Sequence, residues 1–167
     1  MKIYVRFLAT MLLLGLTISC ANQKIANANS DLKYKIERIE YSTSPCFGTC
    51  PQFKFEIEKD RKAIYTAVRF NLSKDYSQES PEAIFEGKID ENTYNSLVKK
   101  LNDMDFPTLQ NRYKVQWTDA QTGTLKITYD NGKVKEISDY GKRGTPELIE
   151  IHQLFLDLRE SQNWVKR

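Results

Sequence analysis

The sequence predicts an α+β fold in which an antiparallel sheet of about six strands is covered on one face by two helices. Short segments with alternating apolar residues predict the strands, and two segments with apolar residues three and four positions apart predict the helices. Most links between neighbouring strands have the length of a hairpin connection, which favours antiparallel pairing. The expected order of elements is β-β-β-β-α-β-β-α.

Four strands are expected in the first half of the domain, at residues 32–41, 52–59, 63–70 and 82–89. In the first, the apolar alternation slips by one position between Ile36 and Ile39, which predicts a β-bulge. The second alternates cleanly, so we expect one buried face and one wet face. Four residues of the third strand are expected to share one face: Ile64, Thr66, Val68 and Phe70.

Each predicted helix begins at a capping residue. Asp90 precedes the first helix, while Thr145 followed by Pro146 opens the second. The expected apolar stripes are Tyr94, Leu97, Val98, Leu101 and Met104 in the first helix, and Leu148, Ile151, Phe155 and Leu158 in the second. Residues 107–122 show no period, and so long a connection is uncommon in a compact domain. They either pack as an ordered loop or contain a short element.

The dipeptide Asn131-Gly132 between two alternating segments is a strong hairpin signal, because a type I′ turn needs two positive φ angles. A two-residue turn would set Val134 opposite Tyr129. In that register, either a bulge turns Ile137 inward or this end of the strand's inner face is wet.

The N-terminus has the features of a bacterial lipoprotein export signal that ends at Cys20. Lys2 and Arg6 supply positive charge, and residues 7–18 form an apolar run of 12 residues. That length suits a signal sequence and falls short of the roughly 20 residues that cross a bilayer. Cleavage without lipidation is the alternative, because Thr17 stands where the lipoprotein pattern prefers Leu or Val.

The signal divides the chain into a leader of residues 1–19, a flexible tether of residues 20–31 and a single globular domain of residues 32–165. We therefore expect a protein of the bacterial cell envelope, held to the membrane by lipid on Cys20. Loss of Lys2 and Arg6 with the leader lowers the formal net charge from +3 to +1. So small a charge creates no field that would attract nucleic acid, and no nucleic-acid partner is expected.

Cys46 and Cys50 would then form a pair in an oxidising compartment. A disulfide requires Cα atoms about 4.4–6.8 Å apart, whereas an extended chain would separate these two by on the order of 13 Å. Gly48 permits the necessary curl, and Pro45 and Pro51 interrupt regular structure around it. These residues predict a disulfide-locked turn between the first two strands.

The alternative for Cys46 and Cys50 is a working dithiol that performs redox chemistry or handles copper, with His152 as a third ligand. Reactive thiols usually lie at a helix N-terminus, which lowers their pKa, but strand alternation follows Pro51 here. His152 lies on or beside the predicted apolar stripe, where a lone histidine is more often a hydrogen-bonded core residue. The sequence therefore favours the structural disulfide.

The segment Ser44–Pro51, the strand after it, the run Trp117-Thr118-Asp119 before a hairpin and the final helix opened by proline carry a resemblance. The chain resembles an uncharacterised bacterial lipoprotein family, the domain of unknown function 6438, over roughly residues 32–160. The resemblance implies no activity, substrate or catalytic residue.

No nucleophile elbow, Gly-rich phosphate loop or EF-hand spacing occurs in the sequence, so we expect no catalytic residue, metal site or cofactor. The favoured function is a non-enzymatic, lipid-anchored module that binds or scaffolds an envelope protein or ligand. Phe47, Tyr113 and Trp117 are the candidate binding surface. For Tyr113 and Trp117, however, the sequence favours the alternative that they fold back as a lid on the sheet edge. A site built on strand faces leaves no linear motif, so an enzyme acting on cell-wall or sugar substrates stays an alternative.

Overall fold

The computed structural model describes residues 32–71 and 82–167. Cys20, the predicted leader and the predicted tether lie outside the described residues. The described strands are β1 (Ile36–Thr43), β2 (Gln52–Glu58), β3 (Lys62–Arg69), β4 (Ala83–Lys88), β5 (Arg112–Lys114), β6 (Thr122–Tyr129), β7 (Lys133–Tyr140) and β8 (Val165–Lys166). The helices are α1 (Glu91–Asp103) and α2 (Pro146–Ser161), with a 3₁₀ turn at Phe106–Thr108.

The strands form one eight-stranded sheet in the order β5-β7-β6-β1-β2-β3-β4-β8. The predicted α+β class is confirmed, but the prediction of about six strands in an antiparallel sheet is wrong in two respects. The sheet has eight strands, and β5 pairs with β7 in parallel. Strands β5 and β8 have three and two residues, which is too short to show the alternation that reveals a strand in sequence.

One face of the sheet and both helices contribute to a single hydrophobic core. The clean alternation expected in β2 is confirmed by its buried residues, Phe53, Phe55 and Ile57. In β3 the core residues are Ala63, Tyr65 and Ala67. The predicted set of Ile64, Thr66 and Val68 does share a face, but it is the opposite, helix-free face of the sheet, and the left-handed backbone of Phe70 (φ 55°) ends the alternation there.

The predicted bulge in β1 is confirmed by its pairing with β6. Ile36 pairs with Tyr129 but Arg38 pairs with Thr128, so Glu37 is the extra residue. Because the side-chain period of a strand is two, this insertion returns Ile39 to the core face and accounts for the slip in the sequence pattern.

The hairpin between β6 and β7 has a three-residue loop rather than the predicted two-residue turn. The loop residues Asp130, Asn131 and Gly132 all have positive φ angles, and Tyr129 pairs directly with Lys133. The extra loop residue shifts the register by one position. It sets Ile137 opposite Leu125, where Ile137 is buried, and leaves Val134 exposed without any bulge.

Both helices start where the sequence predicts. The Asp90 carboxylate accepts a hydrogen bond from the Thr93 amide, and the Thr145 hydroxyl accepts one from the Leu148 amide. The apolar stripe of each helix is in the core, with Tyr94 at its margin. Within residues 32–71 and 82–167, neither helix is long and apolar enough to cross a membrane.

Candidate functional site

The loop between β1 and β2 is closed by a disulfide between Cys46 and Cys50, whose Cα atoms are 5.9 Å apart. This confirms the predicted pairing. Thr43 closes the base of the loop, because its hydroxyl donates to the Pro51 carbonyl (3.0 Å) and accepts from the Phe53 amide (3.0 Å). The loop is therefore fixed by one covalent bond and by two hydrogen bonds at its base.

The disulfide loop is also bound to the segment before β6. The Phe47 amide donates to the Asp119 carbonyl (3.2 Å), and the Ser44 amide donates to the Thr122 carbonyl (2.9 Å). In return, the Thr122 amide donates to the Ser44 hydroxyl (2.9 Å). Two segments more than 70 residues apart in sequence thus form one surface.

Gln121 is the buried residue that joins these two segments from beneath. Its amide nitrogen donates to the carbonyls of Ser44 (2.9 Å) and Pro51 (2.8 Å), and its amide oxygen accepts from the Lys142 ammonium (2.6 Å). Burial, assisted by repulsion from Arg159, lowers the pKa of Lys142. Both polar atoms of the Gln121 side chain are thus engaged, and its amide nitrogen fixes the disulfide loop in place.

The structure separates the three residues of the predicted binding surface. Phe47 is 90% exposed and Trp117 is 59% exposed, on the two segments that the hydrogen bonds join. Tyr113 is half-buried, and a Cβ built on Gly144 would lie 2.5 Å from its Cγ atom. Phe47 and Trp117 thus have the exposure that a contact residue needs, whereas Tyr113 packs against the chain. We call the exposed parts of residues 44–51 and 115–121 the two-loop surface.

A cavity of about 750 Å³ adjoins the two-loop surface, and it was not predicted. It is lined by Lys114, Val115, Gln116, Trp117, Thr118, Asp119 and Tyr140. The residues 107–122 contain a short element, β5, which was one of the two alternatives for this region. Because β5 pairs with β7, it brings Trp117 next to the end of the sheet.

The largest concentration of titratable groups in the core is a chain of Tyr41, His152 and Asp139, which are 1%, 7% and 1% exposed. The Tyr41 hydroxyl lies 2.9 Å from Nδ1 of His152, and Nε2 of the same ring lies 2.8 Å from the Asp139 carboxylate. The amides of Arg143 (3.2 Å) and Gly144 (2.9 Å) also donate to Asp139. The absence of a side chain at Gly123 leaves space for the His152 ring, because a Cβ there would lie 2.6 Å from Cε1 of His152.

The direction of each hydrogen bond follows from the charges. Burial would raise the pKa of Asp139, but the hydrogen bonds from His152 and from the Gly144 and Arg143 amides outweigh burial and lower it. Asp139 is then an ionised acceptor, so Nε2 of His152 donates to it, which in the neutral ring leaves Nδ1 to accept from Tyr41. Burial, with the Asp139 charge, raises the pKa of Tyr41, which keeps its hydroxyl protonated as the donor.

This chain of hydrogen bonds is structural, since a substrate cannot reach side chains that are so deeply buried. His152 is a hydrogen-bonded core residue with both ring nitrogens engaged, so it has no free nitrogen for a copper ion. Among residues 32–71 and 82–167, no three His, Cys, Asp or Glu side chains are grouped to hold a metal ion. Sequence reasoning missed Asp139, although a carboxylate two positions from inward-facing Ile137 is a signal for a buried partner.

The comparisons with known proteins identify the family. No curated protein matches the chain. The family model described as a domain of unknown function (DUF6438) matches residues 37–159. That span includes the disulfide loop, Trp117 and all three residues of the buried hydrogen-bonded chain. The protein therefore belongs to the DUF6438 family.

Proposed function

We propose that this protein is a lipid-anchored, non-enzymatic module of the bacterial cell envelope that binds another envelope component through the two-loop surface. The observation that carries the proposal is the pair of exposed aromatic residues, Phe47 and Trp117, on two loops that are hydrogen-bonded to each other. Aromatic side chains bury a large apolar area on contact, and tryptophan is enriched among the residues that dominate binding energy.

The rigidity of the two-loop surface supports a binding role. The disulfide fixes the loop that carries Phe47, and Gln121 fixes it to the neighbouring segment. A surface that is already ordered loses little conformational entropy when it binds, so more of the contact energy appears as affinity. Structural stabilisation alone would not require Phe47 to be 90% exposed.

The burial of the reactive groups supports binding over catalysis. Tyr41, His152 and Asp139 are enclosed by the core, whereas the two-loop surface presents mainly aromatic, amide and hydroxyl groups. Enzymes place their acids, bases and nucleophiles within hydrogen-bond reach of substrate, which the enclosed groups of this fold do not allow.

The lipid anchor is the part of the proposal that rests on the sequence. The lipidated Cys20 would hold the protein to the membrane, and residues 20–31 would give the domain a reach of on the order of 20 Å. The membrane and an envelope component would then be its two partners, and the domain would act at the periplasmic face or at the cell surface.

We expect Cys20→Ser to abolish lipidation. The full chain, expressed in a bacterium fed an alkyne fatty acid, should carry the label and sediment with membranes, because Cys20 is the acylated residue. The Cys20→Ser variant should be unlabelled, while the control Cys46→Ser/Cys50→Ser should keep the label. An unlabelled wild-type chain, or label that persists in Cys20→Ser, would contradict the anchor.

We expect Phe47→Ala and Trp117→Ala each to reduce partner capture about tenfold or more, which corresponds to 1.4 kcal/mol of lost affinity. The measurement is the yield of cross-linked partner recovered with the full chain from envelopes. Val165→Ala is the matched control, because Val165 is an exposed apolar residue on β8, at the other edge of the sheet. Equal yields from all four proteins, or no partner at all, would refute the proposal.

A further inference from the structure

A groove follows the helix-free face of the sheet along its β5 edge. The 750 Å³ cavity beneath Trp117 is continued by a second cavity of about 600 Å³, and the two share Lys114 and Tyr140. Residue pairing explains this continuity. Lys114 pairs with Tyr140 and Arg112 pairs with Ser138, and these alternate residues project to the face opposite the buried Asp139.

Two aromatic side chains lie at one end of the groove. Tyr140 lines both cavities, and its hydroxyl accepts a hydrogen bond from the Ala120 amide (3.0 Å), which fixes the phenol beside the segment that carries Trp117. The indole of Trp117 is more than half exposed. The groove therefore offers flat apolar ring surfaces that are accessible to a ligand.

The rest of the groove has charged and polar side chains beside the ring of Tyr113, and its charges balance. Arg112 and Lys114 supply two positive charges, and Asp119 and Glu136 supply two negative charges. In the described part of the chain these four side chains form no ion pair with one another or with other residues. The remaining lining includes hydroxyl and amide groups, namely those of Gln116, Thr118, Thr124 and Ser138.

We propose that this groove binds a neutral oligosaccharide, with Trp117 against the C–H face of one sugar ring and the charged side chains hydrogen-bonded to its hydroxyl groups. A sugar ring has an apolar face and a rim of groups that both donate and accept hydrogen bonds. It therefore matches an aromatic surface beside both cations and carboxylates. This inference rests on the proposed binding function, because Trp117 belongs to both sites.

The residues that line the groove favour a neutral glycan over other classes of ligand. A polyanion, such as a nucleic acid or an acidic polysaccharide, would need an excess of cations, but two carboxylates offset Arg112 and Lys114. An extended peptide recognised by its side chains would need apolar pockets at alternate positions. Val115, which is half-buried, is the one aliphatic residue among the lining residues of the two cavities.

The test is a titration of the full chain, in a detergent without a sugar headgroup, with the tetramers of glucose and of N-acetylglucosamine. The readout is the ¹⁵N-indole NMR spectrum, because the chain has two tryptophans. Trp164 is an internal control, since its indole N–H donates to the Leu158 carbonyl (3.2 Å) away from the groove. We expect a tetramer to shift the Trp117 resonance and to leave that of Trp164 unchanged.

Three variants complete the test. Trp117→Ala should weaken tetramer binding at least tenfold, and Glu136→Gln should weaken binding of the tetramer more than that of the monosaccharide, because Glu136 lines the second cavity. Val165→Ala should bind the tetramer as the wild type does, since Val165 lies on β8 at the other edge of the sheet and lines neither cavity. Absence of any Trp117 shift with millimolar tetramer would overturn the inference, as would tighter binding of tetragalacturonic acid or of an extended tetrapeptide.

The two experiments distinguish failure of the glycan inference from failure of the proposed binding function. If neutral tetramers do not bind but partner capture still depends on Phe47, the glycan inference falls and the binding module stands. If capture also fails, both fall.

Discussion

Replacing Asp139 by alanine is expected to lower the free energy of unfolding by about 3 to 5 kcal/mol. The change removes the one acceptor shared by Nε2 of His152 and the amides of Arg143 and Gly144. One buried donor, Nε2 of His152, and two part-buried backbone amides then lose their partner. The measurement is urea unfolding followed by circular dichroism. Asp157→Ala on the exposed side of α2 is the control, and we expect it to change stability by less than about 0.5 kcal/mol.

The stability loss in Asp139→Ala is also expected to depend on pH. Because the folded-state pKa of Asp139 is lowered, its stabilisation is complete above the unfolded value of about 3.9 and is lost as the pH falls through the lower folded value. The stability difference between the wild type and Asp139→Ala should therefore shrink as the pH falls below about pH 4. A difference that stays constant into strong acid would show that Asp139 does not act as an ionised acceptor.

Gly123→Ala is expected to destabilise the domain by about 1 to 3 kcal/mol, even though alanine adds a single methyl group. The new Cβ would lie 2.6 Å from Cε1 and 2.8 Å from Nδ1 of His152, and 3.0 Å from the Tyr41 hydroxyl. Both partners are held in the packed core, so the ring must move and its hydrogen bonds must lengthen. Thermal and urea unfolding measure the loss.

Two further variants test this explanation of the Gly123→Ala effect. Thr124→Ala, which changes the next residue of β6 on the opposite face, should cost less than Gly123→Ala. In a His152→Ala background the principal obstacle is gone, so Gly123→Ala should add little further destabilisation. Additive effects of Gly123→Ala and His152→Ala would show that the methyl group acts elsewhere.

The elements with strong local signals could be predicted from the sequence. The bulge after Ile36, the caps at Asp90 and Thr145 and the burial of the β2 face each depend on neighbours within a few residues. The three-residue loop before Lys133 could not be predicted, because Asn131-Gly132 fits a shorter turn equally well. Strand β5 was hidden because three residues have no period, and its parallel pairing depends on the distant strand β7.

The candidate sites were likewise predictable only where they depend on residues close together in the sequence. The disulfide could be predicted because the five residues from Cys46 to Cys50 must curl. The core position of His152 could be predicted because this residue lies beside the apolar stripe of α2. Tyr41 and Asp139, however, meet His152 across 111 and 13 residues of sequence, and only the sheet register brings them together. The contact between Phe47 and Asp119 is equally long-range, so neither the two-loop surface nor the groove could be derived from local patterns.

The brevity of the two outermost strands has a consequence for aggregation between copies of the protein. With three residues in β5 and two in β8, each rim of the sheet has few backbone groups for a neighbouring chain to pair with. Arg112 and Lys114 on β5, together with Lys166 on β8, add like-charge repulsion where two such rims would meet. The architecture thus resists rim-to-rim aggregation of the kind that builds amyloid, even at high local density.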